Sequence, residues 1–123
     1  MKDIRLNPLK DKSFCFALRI IKLYKYLCKE KKEMILSKQI LRSGTAIGAM
    51  QRESEHAEST LDFIHKLSIA QKESNETLYW LELLHKAEYI NEEAFNSIYK
   101  DAQELIRMIT SIIKSTKASI GKL

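Results

Sequence analysis

Phe16, Ala17, Ile20, Leu23, Tyr24, Leu27 and Cys28 fall in one broad arc when successive residues are turned by ~100°, the helical period. Arg19, Lys22, Lys25, Lys29 and Lys32 occupy the opposite arc. The spacing predicts a first helix after the turn at Asn7-Pro8, capped by Asp11 or Ser13 and running to about Lys31. It gives one face to a core and a continuous cationic stripe to the outside, with Leu18 alone out of pattern as a contact for a neighbour. A second helix is predicted from Ser37 to about Glu55, with Leu36, Ile40, Ile47 and Met50 on one side and Ser43 and Ser54 among them. Gly44 and Gly48 lie four apart within it, on neighbouring turns. A helix-interior glycine costs roughly 1 kcal/mol relative to alanine, so the pair, with Ala46 and Ala49, signals close approach by another helix.

Ser59-Thr60-Leu61-Asp62 has the capping-box pattern in its shorter Asp form and opens what is expected to be the longest helix, reaching about Lys86. Phe63, Ile64, Leu67, Ala70, Leu78, Leu81 and Leu84 form its core stripe. A second apolar set, Leu61, Ile69, Tyr79, Trp80 and Leu83, lies on another side and predicts an oligomer interface, with Trp80 as its anchor or else at the edge of the monomer core. The fourth helix starts at Asn91, carries Glu92 and Glu93 in its first turn, and repeats Phe95, Ile98, Ala102, Leu105, Ile106, Ile109, Ile112 and Ile113 to about Ser115. Short connections between four such helices predict an all-α, antiparallel up-down-up-down four-helix bundle. One domain over residues 1–123 is expected, with an N-terminal arm at 1–11 and a C-terminal tail at 118–123.

Composition narrows the class. With three Gly and one Pro in 123 residues, an all-β fold lacks its turns. No apolar run approaches the ~20 residues of a membrane span, and the start of the chain is charged, so a cytoplasmic protein is expected. Cys15 and Cys28 lack metal or redox spacing and read as reduced packing residues. The net charge of +5 is unevenly spread: residues 1–42 carry +8, residues 43–105 carry −7, and residues 106–123 carry +4. Basic ends around an acidic middle suit subunit pairing, nucleic-acid binding or a merely solvated surface.

Candidate chemistry changes the picture little. Glu53-His56, Asp62-His65 and Glu82-His85 have the acid-x-x-His spacing of di-metal bundles, which also need an inward acid from each of the other two helices. The first helix has no acid from Lys12 to Lys29, and Asp101 and Glu104 flank the core stripe of the fourth, so no metal site is expected. No phosphate loop, dinucleotide fingerprint or activated nucleophile is recognisable, so neither a cofactor nor enzymatic activity is expected. Glu53 and Glu73 are expected in ion pairs with Arg42 or Arg52.

The run Ser37-Lys-Gln-Ile-Leu-Arg-Ser-Gly-Thr-Ala-Ile-Gly-Ala, followed by Arg52-Glu53, Asp62-Phe63-Ile64-His65-Lys66-Leu67 and Asn75-Glu76-Thr77-Leu78-Tyr79-Trp80, extends over much of the chain. In this ordered combination the sequence resembles the four-helix-bundle proteins encoded in intervening sequences of bacterial 23S ribosomal RNA genes. Met50-Gln51 departs from the Asn-aliphatic pair common there. The resemblance implies a ring-like homopentamer, and a fold similar to the accessory variability protein of diversity-generating retroelements, which binds nucleic acid and a reverse transcriptase. It implies structural importance for Arg42, Ser43, Gly44, Thr45, Ile47, Gly48, Glu53, Glu73 and Glu76.

These readings converge on an oligomeric, non-enzymatic RNA- or DNA-binding protein, with RNA favoured and the ribosome or a reverse transcriptase as possible partners. Its expected phosphate contacts are Arg19, Lys22, Lys25, Lys29, Lys32 and Lys38, joined by Arg107, Lys114 and Lys117 at the basic end of the fourth helix. Five copies would bring about +25 onto one frame. The rival reading is a homo-oligomeric interaction scaffold whose basic helices meet acidic protein surfaces.

Overall fold

The capping chemistry places each helix boundary. In the computed structural model, which describes residues 7–121, Pro8 occupies the first position of α1 (Pro8–Lys29), where its missing N–H costs nothing. The Asn7 side chain accepts a hydrogen bond from the Lys10 amide at 3.0 Å, so Asn7 is the cap in place of Asp11 or Ser13. Residues 8–11 of the expected arm are therefore helical; the rest of that arm, apart from Asn7, lies outside the described residues. Asp11 sits in the first turn, while the buried Ser13 hydroxyl donates to the Lys10 carbonyl at 3.1 Å.

The turn after α1 contains a device the periodicity did not reveal. Lys32 takes φ 55°, and the Glu33 amide donates back to the Leu27 carbonyl at 2.9 Å. The Glu33 carboxylate then accepts from the amides of Ile35 (3.1 Å), Leu36 (3.0 Å) and Ser37 (2.7 Å). It thereby caps α2 (Leu36–Ser54), whose own N-cap residue, Ile35, supplies no side-chain acceptor. The charge also complements the positive end of the helix dipole.

Helix α3 (Thr60–Lys86) begins as expected, with the Ser59 hydroxyl accepting from the Asp62 amide at 3.0 Å. The Asp62 carboxylate reaches back one residue further than in the usual box, to the Glu58 amide. The helix closes in a Schellman turn: Tyr89 N–H donates to the Leu84 carbonyl and Glu88 N–H to the His85 carbonyl, with Glu88 left-handed at φ 67°. Asn91 then caps α4 (Glu92–Gly121) through the Ala94 amide at 2.8 Å. At 30 residues α4, not the 27-residue α3, is the longest helix. It continues past Ser115 because Ile113 stays buried and Ile120 packs against the core, which puts residues 118–121 in the helix and corrects the expected tail.

The protein is all-α among its described residues. Each helix packs on the next and α4 returns to α1, the least extensive of the four contacts. Partner numbers fall along one helix as they rise along its neighbour: Ser13 lies by Gly48, Ile20 by Gly44 and Cys28 by Ser37. The same order holds for Ser43 with Thr77 and Glu53 with Lys66, and for Gln71 with Thr110 and Glu82 with Tyr99. Phe16, Ile20, Leu27, Ile40, Ile47, Leu67, Leu81, Leu84, Leu105 and Ile109 fill the interior between the four. Full burial of each large aliphatic chain contributes about 1.5–3 kcal/mol.

The two glycines of α2 differ. A Cβ on Gly44 would lie 2.7 Å from Cγ1 and 2.9 Å from Cγ2 of Ile20, a stiff β-branched side chain with no exposed surface. On Gly48 the nearest atoms, the Ser13 carbonyl and hydroxyl oxygens, would be 3.4 Å away. Gly44 alone is sterically required; at Gly48 there is room for a methyl group. Gly44→Ala is expected to destabilise the fold by about 1–3 kcal/mol in denaturant titration. Gly48→Ala should leave stability within about 1 kcal/mol of wild type, since its better helix propensity offsets a modest contact. Glu88→Gly should raise the denaturation midpoint, by about 1 kcal/mol in free energy, because glycine occupies the left-handed position without a Cβ clash.

Candidate nucleic-acid interface

Around Gly44 the motif residues assemble into a joint between α2 and α3. The Ser43 and Thr77 hydroxyls, both buried, lie 2.9 Å apart, and Thr77 Oγ1 also lies 2.8 Å from the Glu73 carbonyl. Ser74 and Thr45 return their hydroxyls to the carbonyls of Ala70 and Leu41. Small side chains that satisfy themselves on their own helix permit close packing without buried unpaired groups. Ile47 is fully buried beside them.

Above this joint Arg42 spans the two helices. Its guanidinium meets both oxygens of Glu73, at 3.2 and 3.3 Å, and also pairs with Glu76. Glu76 accepts a further hydrogen bond from the Trp80 indole N–H at 2.9 Å. The indole bond first, and the Arg42 bond second, hold the Glu76 carboxyl below its ordinary pKa of 4.5. Trp80 is half-buried against the core, and Tyr79 meets it edge-on with ring centroids 5.0 Å apart. The second apolar set thus divides: Leu61 and Tyr79 are exposed, while Ile69, Trp80 and Leu83 are half-buried. Glu73 pairs with Arg42 as expected, but Glu53 pairs with Lys66 at 3.3 Å, because its side of α2 faces α3. Arg52 instead lies over the exposed Phe14 ring, 5.8 Å from its centroid.

On the opposite side of the molecule is the basic stripe. Arg19 is committed to α4, bonded to Asp101 and to the Ser97 side chain, and Lys12 pairs with Glu104 at 2.8 Å. Asp101 and Glu104, which flank the α4 core stripe in sequence, thus staple α4 to α1. Lys22, Lys25, Lys29, Lys32 and Lys38 are exposed, and among the described residues none lies within 4.0 Å of a carboxylate. Arg107, Lys114 and Lys117 are likewise exposed on α4, Arg107 within electrostatic reach of Glu104. Between α1 and α4 runs a groove with a cavity of about 420 Å³ lined by Lys22, Leu23, Tyr26, Ile90, Asn91 and Ala94, and an adjoining one of about 240 Å³ that reaches Arg19 and Ile98.

Several residues carry more here than their sequence pattern disclosed. Tyr26, off the core arc, is exposed in that groove, whereas Tyr24 is half-buried with Cys28 one turn on, whose thiol raises the pKa of its phenol. Cys15 is exposed and not a packing residue, and Cys28 is half-buried. No set of three or more His, Cys, Asp or Glu side chains converges on a metal-sized site among the described residues. No described helix is long and apolar enough to cross a membrane.

The Arg42, Glu76 and Trp80 cluster gives acid stability a definite sign. A carboxyl with a lowered folded pKa contributes stability that is present above about 4.5 and lost as pH falls through the lower folded value. Thermal melts should show Glu76→Gln less stable than wild type near neutrality, with the gap closing as the pH drops below that value. A constant gap at all pH values would remove the ionic contribution assigned to this cluster.

Comparison with known proteins follows the same residues. The pattern that defines the 23S rRNA-intervening sequence proteins matches residues 7–111. Among solved structures, a protein of unknown function from the S23 ribosomal protein family of Bacteroides thetaiotaomicron VPI-5482 is 58% identical. It superposes with a TM-score of 0.87 over 88% of this chain and 96% of its own. None of the curated proteins compared with the chain matches it. With the α2 seam, the Arg42 joint and all of the helical core except the last turns of α4 inside the matched span, the chain belongs to the 23S rRNA-intervening sequence protein family.

Proposed function

We propose that this protein is a non-enzymatic, oligomeric RNA-binding protein of the cytoplasm, built as an antiparallel up-down-up-down bundle. The opposed order of side-chain partners along neighbouring helices supports that topology. The observation that carries the functional reading is the run of exposed lysines Lys22, Lys25 and Lys29 on α1, continued by Lys32 in the next turn and Lys38 on α2, free of carboxylate partners among the described residues, with Lys22 on a groove that has Tyr26 in its wall. Six acidic residues, Glu53, Glu55, Glu73, Glu76, Asp101 and Glu104, are drawn into pairs with Lys10, Lys12, Arg19, Arg42 and Lys66, and none of the six pairs with these lysines. A charged face of this kind binds phosphates with little sequence specificity. Membership of a family named for 23S ribosomal RNA intervening sequences agrees with RNA as the polyanion, and makes the ribosome a candidate partner.

Oligomerisation, with a homopentamer as the favoured form, is part of the same proposal. Phe14 and Leu18 on α1, exposed by 54% and 52%, and Tyr79 and Leu61 on α3 are large apolar groups left outside the monomer core. The same groups favour the second reading, an interaction scaffold or accessory subunit with no direct contact to nucleic acid.

Gel-shift titration against ribosomal RNA and random single-stranded RNA separates the two readings. Engagement of ~5 phosphates on a single strand predicts a log-log salt slope near −3.5. The Lys22→Glu, Lys25→Glu, Lys29→Glu triple variant should lose the shift while keeping its melting curve. Absence of any low-salt shift with the wild-type protein would leave the scaffold reading in its place.

A further inference from the structure

The end of the bundle where α1 finishes and α3 turns into α4 holds a cavity of about 440 Å³, within the roughly 300–1,000 Å³ of small-molecule sites. Tyr26, Lys31, His85, Tyr89, Asn91 and Glu92 line it, together with the left-handed Glu88. It adjoins the α1/α4 groove, with which it shares Tyr26, Ile90 and Asn91. We infer that this cavity receives one unpaired nucleobase of a bound RNA strand and favours a base whose Watson–Crick edge sets an exocyclic amine beside an unprotonated ring nitrogen, adenine or cytosine, over uracil. The inference rests on the RNA-binding reading above and assigns a base-recognition role to part of that surface.

Three features of the cavity fit such a base. The first is flat, pre-ordered apolar surface. His85 is already stacked on Phe95, with centroids 4.2 Å apart and planes 8° from parallel, and Phe95 leans on Tyr99 at 4.8 Å. The Tyr99 hydroxyl is tied to Glu82 at 2.7 Å, so the ladder is fixed before any ligand arrives. Tyr26, 41% exposed, adds a free ring on the α1 side. A base gains stacking from any such face, whatever its identity.

The second is a set of hydrogen-bonding groups of a definite kind. Glu88 and Glu92 are exposed carboxylates in the lining and accept from an exocyclic amine, as acidic side chains do from cytosine N4. The Asn91 carbonyl oxygen is occupied by the Ala94 amide, which leaves its NH₂ to donate to a ring nitrogen. Uracil offers carbonyl oxygens where adenine and cytosine offer the amine, and would set them against the two carboxylates. The third feature is charge placement. Lys31 stands at the cavity and Lys22 on the adjoining groove, so the backbone of a strand whose base enters the cavity would run beside lysines. Against a free nucleotide, the two carboxylates oppose a phosphate inside the cavity, which fits a base delivered by a strand whose phosphates remain on the lysine side.

The test is fluorescence anisotropy with short labelled RNA homopolymers of adenine, cytosine and uracil, using the full chain. Wild type should bind the adenine and cytosine strands more tightly than the uracil strand at equal salt. Tyr26→Ala should weaken the adenine strand by about tenfold, the order of one lost base–aromatic stack, and Tyr26→Phe should not. The Glu88→Gln, Glu92→Gln double variant should bring the uracil strand level with the other two without loss of overall affinity. Melting curves for each variant confirm that the fold is intact. Equal binding of all three strands by wild type, unchanged by Tyr26→Ala, would overturn the base site and leave RNA binding standing. No binding of any strand at low salt would overturn both.

Discussion

The approach of α2 to its neighbours sets the geometry on which the other contacts are built. Gly44 meets Ile20 of α1 at a distance that excludes even a methyl group, and on the adjoining face Ser43 meets Thr77 of α3 through buried hydroxyls. Both contacts require small groups, and both lie within one turn of the same helix. With α2 seated so closely, Arg42 at its edge reaches Glu73 and Glu76, and Glu76 in turn holds the Trp80 indole. One steric constraint thus aligns an ionic joint, a buried hydroxyl contact and an aromatic edge. The order of residues from Arg42 to Gly48 is the sequence trace of that constraint.

The same constraint bears on the charged surface. Since α1 gives its inner arc to α2 and the core, Lys22, Lys25 and Lys29 are turned outward. The contact of α1 with α4 is the least extensive of the four and is held at one end by Lys12 with Glu104 and Arg19 with Asp101. Beyond those pairs the helices leave an open groove, and the free lysines begin where the paired cations stop. Charge neutralisation therefore divides α1 along its length, with its N-terminal half ion-paired to α4 and its C-terminal half unpaired beside the groove.

Much of this was legible in the sequence, for identifiable reasons. Helical periodicity located all four helices, since the burial of Phe16, Ile20, Leu27, Leu67, Leu81, Leu84, Leu105 and Ile109 repeats at that period. Boundaries were less accessible wherever an unconventional group provides the cap. Glu33 folds its carboxylate onto the amides of Ile35, Leu36 and Ser37 at the start of the next helix, and Asn7 acts with a proline that could start the helix at once. The end of α4 was underestimated because Ile120 comes after a polar stretch, although it still reaches the core. At the basic face, the stripe itself was evident, but periodicity assigns a side only. It gave no means to tell that Asp101 takes Arg19 or that the α3–α4 turn lies beside the end of α1, although it did set Tyr24 in the core arc and Tyr26 outside it.

Polyanion binding on the outward side of α1, proposed above beside a rigid α2 seam, is open to direct observation. Amide chemical-shift mapping of the isotopically labelled protein during titration with single-stranded RNA addresses it directly. Perturbations are expected along α1 from Lys22 to Lys29, through Lys32 in the following turn, and at Tyr26, with Ser43, Gly44 and Ile47 undisturbed. Perturbations centred on the outer faces of α2 and α3, or none at saturating RNA, would contradict it.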